Sequence, residues 1–163
     1  MLLRNKILLA GFSLAFIFAS CDKKRFYDEY QTVGTAWSKA DIKTFTVEQQ
    51  DSLGSYNLFL NIRNNNKYPF NNLFVILKTQ QPDKQVFIDT LEFQMARADG
   101  SLLGTGFTDV KENKLWLKEG FTFKQAGTYQ FEIQQAVRQS GKTEGVEALE
   151  GISEIGLRIE TAE

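Results

Sequence analysis

Few side chains in this sequence can carry out covalent or proton-transfer chemistry. There is one cysteine, Cys21, and no histidine, so imidazole-based triads and the usual zinc and copper sites, which need His or several Cys, are excluded. Carboxylates are the remaining acid-base groups. Glycosidases use two of them about 5 to 10 Å apart. Here Asp89 and Glu92 stand three apart, which in a strand turns them to opposite faces, and Glu112 and Glu119 fall in turn-like stretches. No spacing singles out a pair, and no calcium loop of the Asp-x-Asp-x-Asp-Gly type occurs. Gly104-Thr105-Gly106-Phe107 lacks the third glycine, the following helix and the lysine of a nucleotide loop, so it reads as a bulge or bend. The sequence therefore predicts no enzyme, no cofactor and no metal.

Binding is a better prospect than catalysis. In the alternating run from Lys114 to Lys118, if Leu115 and Leu117 point into a core then Trp116 points out between two lysines, where its ring could stack on a sugar or a partner's side chain. Phe59, on the asparagine-bearing face of its own strand, poses the same question. Asp51-Ser52-Leu53 and Asp89-Thr90-Leu91 resemble the Asp-Ser/Thr-apolar acceptor at which some exported bacterial proteins are O-glycosylated. Such a glycan needs an exposed hydroxyl, which favours Ser52 over Thr90, since Thr90 lies within a predicted strand.

The amino terminus gives Cys21 a use. A basic start with Arg4 and Lys6, an apolar run from Ile7 to Phe18 and the small residues Ala19 and Ser20 have the layout of a secretory signal. The run is shorter than the roughly 20 residues a helix needs to cross a bilayer. Phe18-Ala19-Ser20-Cys21 resembles the lipobox of bacterial lipoproteins, in which the cysteine thiol receives a diacylglycerol and the signal is cut just before it. The expected organisation is a signal peptide over 1–20, a lipidated Cys21 with a tether or first strand over 21–34, and a folded domain over 35–163. Two or more acyl chains hold a protein stably to a membrane. With no second cysteine, no disulfide forms within the chain and the fold rests on its core.

Loss of Arg4 and Lys6 with the leader takes the formal net charge from -1 to -3, which argues against nucleic acid as a partner. Lys23, Lys24 and Arg25 form a basic cluster beside the anchor, suited to a solvated linker or to contact with anionic headgroups. Asp22 resembles an inner-membrane retention signal, and the basic cluster differs from the acidic tethers of surface-displayed lipoproteins. A periplasm-facing anchor is favoured, with the choice of membrane open.

Beyond the anchor the dominant pattern is period two. Tyr56, Leu58, Leu60 and Ile62 alternate with Asn57, Phe59, Asn61 and Arg63, as in a half-buried strand. Leu73 to Lys78 is almost continuously apolar and suits a strand covered on both faces. The Asn-rich stretch with Pro69 between these two reads as a hairpin connection. Further strands are predicted near Tyr27 to Val33, Ile42 to Glu48, Val86 to Ala96, Lys114 to Lys118, Tyr129 to Ile133 and Ile155 to Ile159, with a tight turn at Asp99-Gly100 and at most a short helix from Gln134 to Gln139. Ala126-Gly127-Thr128-Tyr129 resembles the tyrosine corner of immunoglobulin-like sandwiches. Eight or nine strands with little helix predict an all-β, antiparallel β-sandwich, immunoglobulin-like or jelly-roll-like.

Several segments, taken in order, resemble the gliding-motility lipoprotein H family: Asn57 to Asn66, Asp89 to Glu92, Gly104 to Phe107, Glu112 to Trp116, Gly127 to Tyr129, Gln135 to Arg138, and Gly151 to Glu160. The resemblance implies a component of gliding across surfaces, associated with envelope machinery that also secretes and moves adhesins. It implies no catalytic residues. Together with the chemistry above, it leads to the expectation of a noncatalytic assembly or stability factor, lipid-anchored and partnered by other gliding or secretion envelope proteins. The alternative is a lipid-anchored carbohydrate-binding module with Trp116 or Phe59 as its platform.

Overall fold

The computed structural model describes residues 22–50, 54–106 and 108–162, so the expected leader, Cys21, Ser52 and Phe107 lie outside the described residues. Ten strands follow in order: β1 (Arg25–Thr32), β2 (Ala36–Ser38), β3 (Lys43–Gln49), β4 (Ser55–Asn64), β5 (Asn72–Gln80), β6 (Val86–Gln94), β7 (Lys111–Thr122), β8 (Gly127–Gln135), β9 (Ala148–Glu150) and β10 (Ile152–Thr161). Two four-stranded antiparallel sheets, β1-β10-β4-β7 and β3-β8-β5-β6, face each other, and the short β2 and β9 pair separately.

The connectivity follows one rule. Setting aside β2 and β9, the first long strand pairs with the last (β1 with β10), the second with the seventh (β3 with β8), the third with the sixth (β4 with β7) and the fourth with the fifth (β5 with β6). A single long nested hairpin, rolled so that successive pairs fall in alternate sheets, is the jelly-roll arrangement, the second of the two sandwich types expected. Among the described residues only β5 and β6 are joined as a hairpin within a sheet. The expected hairpin between β4 and β5 is therefore corrected: the Asn-rich connection carries the chain from one sheet to the other. Gly151 fixes this crossing, since a Cβ there would lie 2.2 Å from the Tyr68 nitrogen and its φ is 79°.

Alternation decides which side of each strand is dry. Leu58, Leu60 and Ile62 of β4 and Ile155, Leu157 and Ile159 of β10 are fully buried against Phe45, Leu73, Val75, Phe131 and Ile133 of the other sheet. Leu73 to Lys78 proves to be covered on one face only. Leu73, Val75 and Leu77 are buried, whereas Phe74, Ile76 and Lys78 are half-buried on the outer face, shielded by neighbouring side chains such as Glu132. Glu112 and Glu119 lie inside β7 rather than in turns, because that strand is 12 residues long. Gln134 to Gln139 forms no helix; β8 runs to Gln135 and Arg138 bridges Gly145. The Gly104 bend is real, with a bridge from Thr105 to Glu112, and Gly100 makes its turn at φ 83°. Tyr129 is fully buried, and its hydroxyl donates to the Gln125 carbonyl at 3.0 Å and accepts from the Gln125 N–H at 3.2 Å, which is the tyrosine-corner pattern.

The two long sides of the sandwich differ. Along β1 and β3 it is laced shut: Gln31 Nε2 donates to Thr44 O and Lys43 Nζ to Thr32 O, both at 2.8 Å. Along β6 and β7 both sheets end in edge strands, and the Lys118–Asp89 ion pair at 3.5 Å links them across the gap. The strand registers put 22–25, the start of β4, the end of β7 and 160–162 at one end of the molecule, and the β4–β5 and β6–β7 connections at the other.

Candidate functional site

The outward positions of β4, β7, β10 and β1 meet on one sheet face and form two joined clusters. Nearer the amino terminus, Arg158 donates to Asp28 Oδ2 at 2.7 Å, to Glu160 Oε1 at 2.5 Å, and to Asp22. Lys114 Nζ reaches the same Glu160 oxygen at 2.7 Å and lies 4.0 Å over the Phe59 ring. On the other flank of Phe59 is Trp116, with ring centroids 4.4 Å apart and planes at 55°. Burial pushes the Glu160 carboxyl up, but the hydrogen bonds from Lys114 and Arg158 outweigh it and hold the group below its ordinary range. The bond from Arg158 likewise holds Asp22 low.

Farther along the sheet, Tyr30 donates to Glu112 Oε1 at 2.5 Å and accepts from Asn61 Nδ2 at 2.9 Å. Arg63 donates to Glu112 Oε2 at 3.3 Å and to Glu154 Oε2 at 2.5 Å, and its guanidinium sits 4.5 Å from the Tyr30 ring centroid. Burial, then the bond to Glu112, holds the Tyr30 hydroxyl well above its ordinary range. Gly156 makes room for this stack: a Cβ there would approach Tyr30 Cδ1 to 2.9 Å.

Trp116 is 54% exposed, while Phe59 beneath it is only 4% exposed. The structure thus brings the two aromatics together as one stack, in which Trp116 alone presents a free ring. Beside it runs a groove of about 410 Å³ lined by Lys24, Asn57, Phe59, Lys114, Trp116 and Glu160. A register shift between Leu58 and Phe59 on β4 brings Lys118 opposite Leu58, so it reaches Asp89 instead of flanking Trp116. Thr90 is exposed on β6, paired with Ile76.

A second surface is the open side. β6 exposes Val86 (42%), Phe87 (39%) and Ile88 (65%), and a recess of about 300 Å³ lies between Phe87, Phe121, Lys118 and Lys124. A wider depression, about 860 Å³ at the far end, contains one carboxylate, Glu92, which is bonded to Asn72 Nδ2 at 2.8 Å. Among the described residues no group of three or more carboxylates or thiols is placed to hold a metal.

The Arg158 and Arg63 clusters were missed in the sequence. Their signal was present as the period-two set Asn57, Phe59, Asn61, Arg63 and the pair Arg158, Glu160, but their convergence needs the β10-β4-β7 order.

Residues 25–159 match the family model described as GldH lipoprotein. The chain belongs to this family. It is 56% identical over 146 residues to the gliding motility lipoprotein GldH of Flavobacterium johnsoniae, covering 90% of this chain and 91% of that one. It is 47% identical over 147 residues to a gliding motility lipoprotein GldH homolog of Christiangramia forsetii, covering 90% of each. The family resemblance drawn from the ordered segments therefore holds. Among solved structures, the infectious bursal disease virus VP2 subviral particle aligns at TM-score 0.34 and 13% identity, over 83% of this chain and 33% of that one. Dimeric latent PorU from Porphyromonas gingivalis aligns at TM-score 0.37 and 12% identity, over 88% and 14%. Neither likeness is close enough to inform fold or function.

Proposed function

We propose that this GldH-family chain is a noncatalytic assembly or stability factor of the gliding-motility machinery and its associated protein secretion, held to a membrane by lipid on Cys21 and facing the periplasm. The family and its relatives' names support the process. The observation that carries the docking role is β6, an edge strand whose Val86, Phe87 and Ile88 are all exposed. Natural sheets blunt such edges with charge, proline or a covering element. Here Asp89 supplies one such charge, and the apolar run beside it is left for another envelope protein to cover, by strand addition or side-chain packing.

A photo-crosslinking residue at Ile88, introduced into the full chain in living gliding cells, tests this. It captures another envelope protein, whereas the same probe at Thr46 on the opposite outer sheet edge does not. Ile88→Glu leaves the protein at its normal level and membrane-bound, with colony spreading reduced at least tenfold. Full spreading by Ile88→Glu, with no capture at Ile88, sinks the docking role.

A further inference from the structure

The chain leaves almost no leash between its anchor and its fold. The Arg25 N–H donates to the Asp22 carbonyl at 3.3 Å, the Thr161 N–H donates to the Lys24 carbonyl at 2.9 Å, and the Asp22 carboxylate is held by Arg158. The residue directly after Cys21 is thus already fixed to the β1-β10 pair. Successive Cα atoms are about 3.8 Å apart, and the polar layer of each leaflet is only about 5 to 7 Å thick. On the reading that Cys21 carries lipid, this end of the sandwich has to rest at the headgroups, and its orientation is set by the fold rather than by a flexible linker.

The groove beside Trp116 opens next to this fixed segment, with Lys24 in its wall. Trp116 lies opposite Phe59, three residues along β4 from the Tyr56–Phe121 pair at the anchor end, about 10 Å at strand rise. A modest lean toward the outer face of the β1-β10-β4-β7 sheet brings that depth into the headgroup layer. The chemistry fits it. An exposed tryptophan with an apolar body and a polar N–H favours the membrane interface. Lys24 and Lys114 line the groove, and Lys23 and Arg25, the chain neighbours of Lys24, are exposed. The acidic groups in the same place are already engaged: Glu160 by Lys114 and Arg158, and Asp22 by Arg158. Asp28 is also bound to Arg158.

We propose that this groove is a phospholipid headgroup site, and that the domain lies against its own membrane on the outer face of the β1-β10-β4-β7 sheet with Trp116 in the headgroup layer. The far-end loops then face away from the anchor, while the open β6 edge, whose Val86 to Ile88 start at the anchor end beside Phe121 and Lys124, belongs to the other sheet, turned from the membrane.

The chain has its own probe, since it contains two tryptophans. Trp37 is fully buried, with its Nε1–H donating to the Asp41 carbonyl at 2.8 Å, whereas Trp116 is 54% exposed. The test uses the full mature lipidated protein in vesicles of phosphatidylethanolamine and phosphatidylglycerol containing a headgroup-spin-labelled lipid. The expected result is flotation with the vesicles and at least a twofold loss of the Trp116 emission relative to unlabelled vesicles. Trp116→Phe abolishes the quenching, and the Lys23→Glu/Arg25→Glu double variant weakens it while still floating. Flotation with unquenched Trp116 overturns the headgroup site and leaves the anchor intact. Failure to float sinks the lipid reading and the headgroup site with it. Emission that responds to soluble envelope polysaccharide but not to labelled lipid assigns the groove to glycan and also overturns the proposal.

Discussion

Phe59 and Phe74 both occupy outward positions of their strands, yet Phe59 is 4% exposed and Phe74 stays half-buried. The first lies on the β1-β10-β4-β7 sheet, where its neighbours across the strands are Trp116 and Arg158; the second lies on the β3-β8-β5-β6 sheet, opposite Glu92. On the latter sheet Thr44, Thr46 and Glu48 are exposed, with Glu48 accepting from Thr128 Oγ1 at 2.6 Å, and Lys78 pairs with Glu132 at 2.9 Å. On the former, rings and guanidinium groups lie across one another and dry the residues beneath them, so that even Asn61 is only 3% exposed. Strand alternation gives the direction of a side chain. Its exposure depends on which cross-strand neighbours lie over it.

That contrast is breakable by paired substitutions. Phe59→Ala removes a buried ring and leaves Trp116 and Lys114 unsupported, at a cost of about 3 kcal/mol. Phe74→Ala costs about 1 kcal/mol, in keeping with partial burial. Urea denaturation of the two variants checks the ratio, and equal losses would mean that the Trp116 stack gives Phe59 no real cover. Next in size is Arg158→Met. It leaves Asp28 and Glu160, both less than one fifth exposed, without their shared cation, and is expected to cost about 2 kcal/mol. Lys78→Met breaks an ion pair in a wetter setting, with the lysine 37% exposed, and should cost less than about 1 kcal/mol.

Much of this architecture was legible because period two is a local signal. The strands, the inward Leu58, Leu60 and Ile62, the tyrosine corner and the outward Trp116 all follow from residues within one strand or turn. What was not legible is what pairs with what. The chain changes sheet at nearly every connection, so the β4–β5 stretch, with all the composition of a hairpin loop, is a crossover. Arg158 meets Asp22, Arg63 meets Glu112 and Tyr30 meets Asn61 across separations of 136, 49 and 31 residues, which no spacing rule reaches. The short β2 and β9 strands were missed because three residues are too few to show a period. Edge status is likewise a property of strand order, so Val86 to Ile88 read as an ordinary strand rather than as an exposed rim.

Acid should separate the two faces by a smaller margin. Glu160 and Asp22 are held below their ordinary values of 4.5 and 3.8. A carboxylate whose folded pKa lies below its unfolded one adds stability that is fully present above the unfolded value and is lost as pH falls through the folded one. Stability from this cluster is therefore flat from neutral pH to about 5, then declines as the pH drops below 4.5 and onward. Removing Arg158 removes the main cause of the Asp22 depression and one of the two causes of the Glu160 depression, the bond from Lys114 remaining. In Arg158→Met the acid decline of the unfolding midpoint is shallower than in the unsubstituted protein, although that variant starts lower at pH 7. Parallel declines would show that Arg158 does not hold these carboxylates in solution. On the reading that Cys21 carries lipid, the same titration reaches the anchor, because protonating Asp22 loosens the side chain that ties the residue after Cys21 to β10. Quenching of Trp116 by labelled headgroups should then weaken over the same acid range in which the cluster loses its charge.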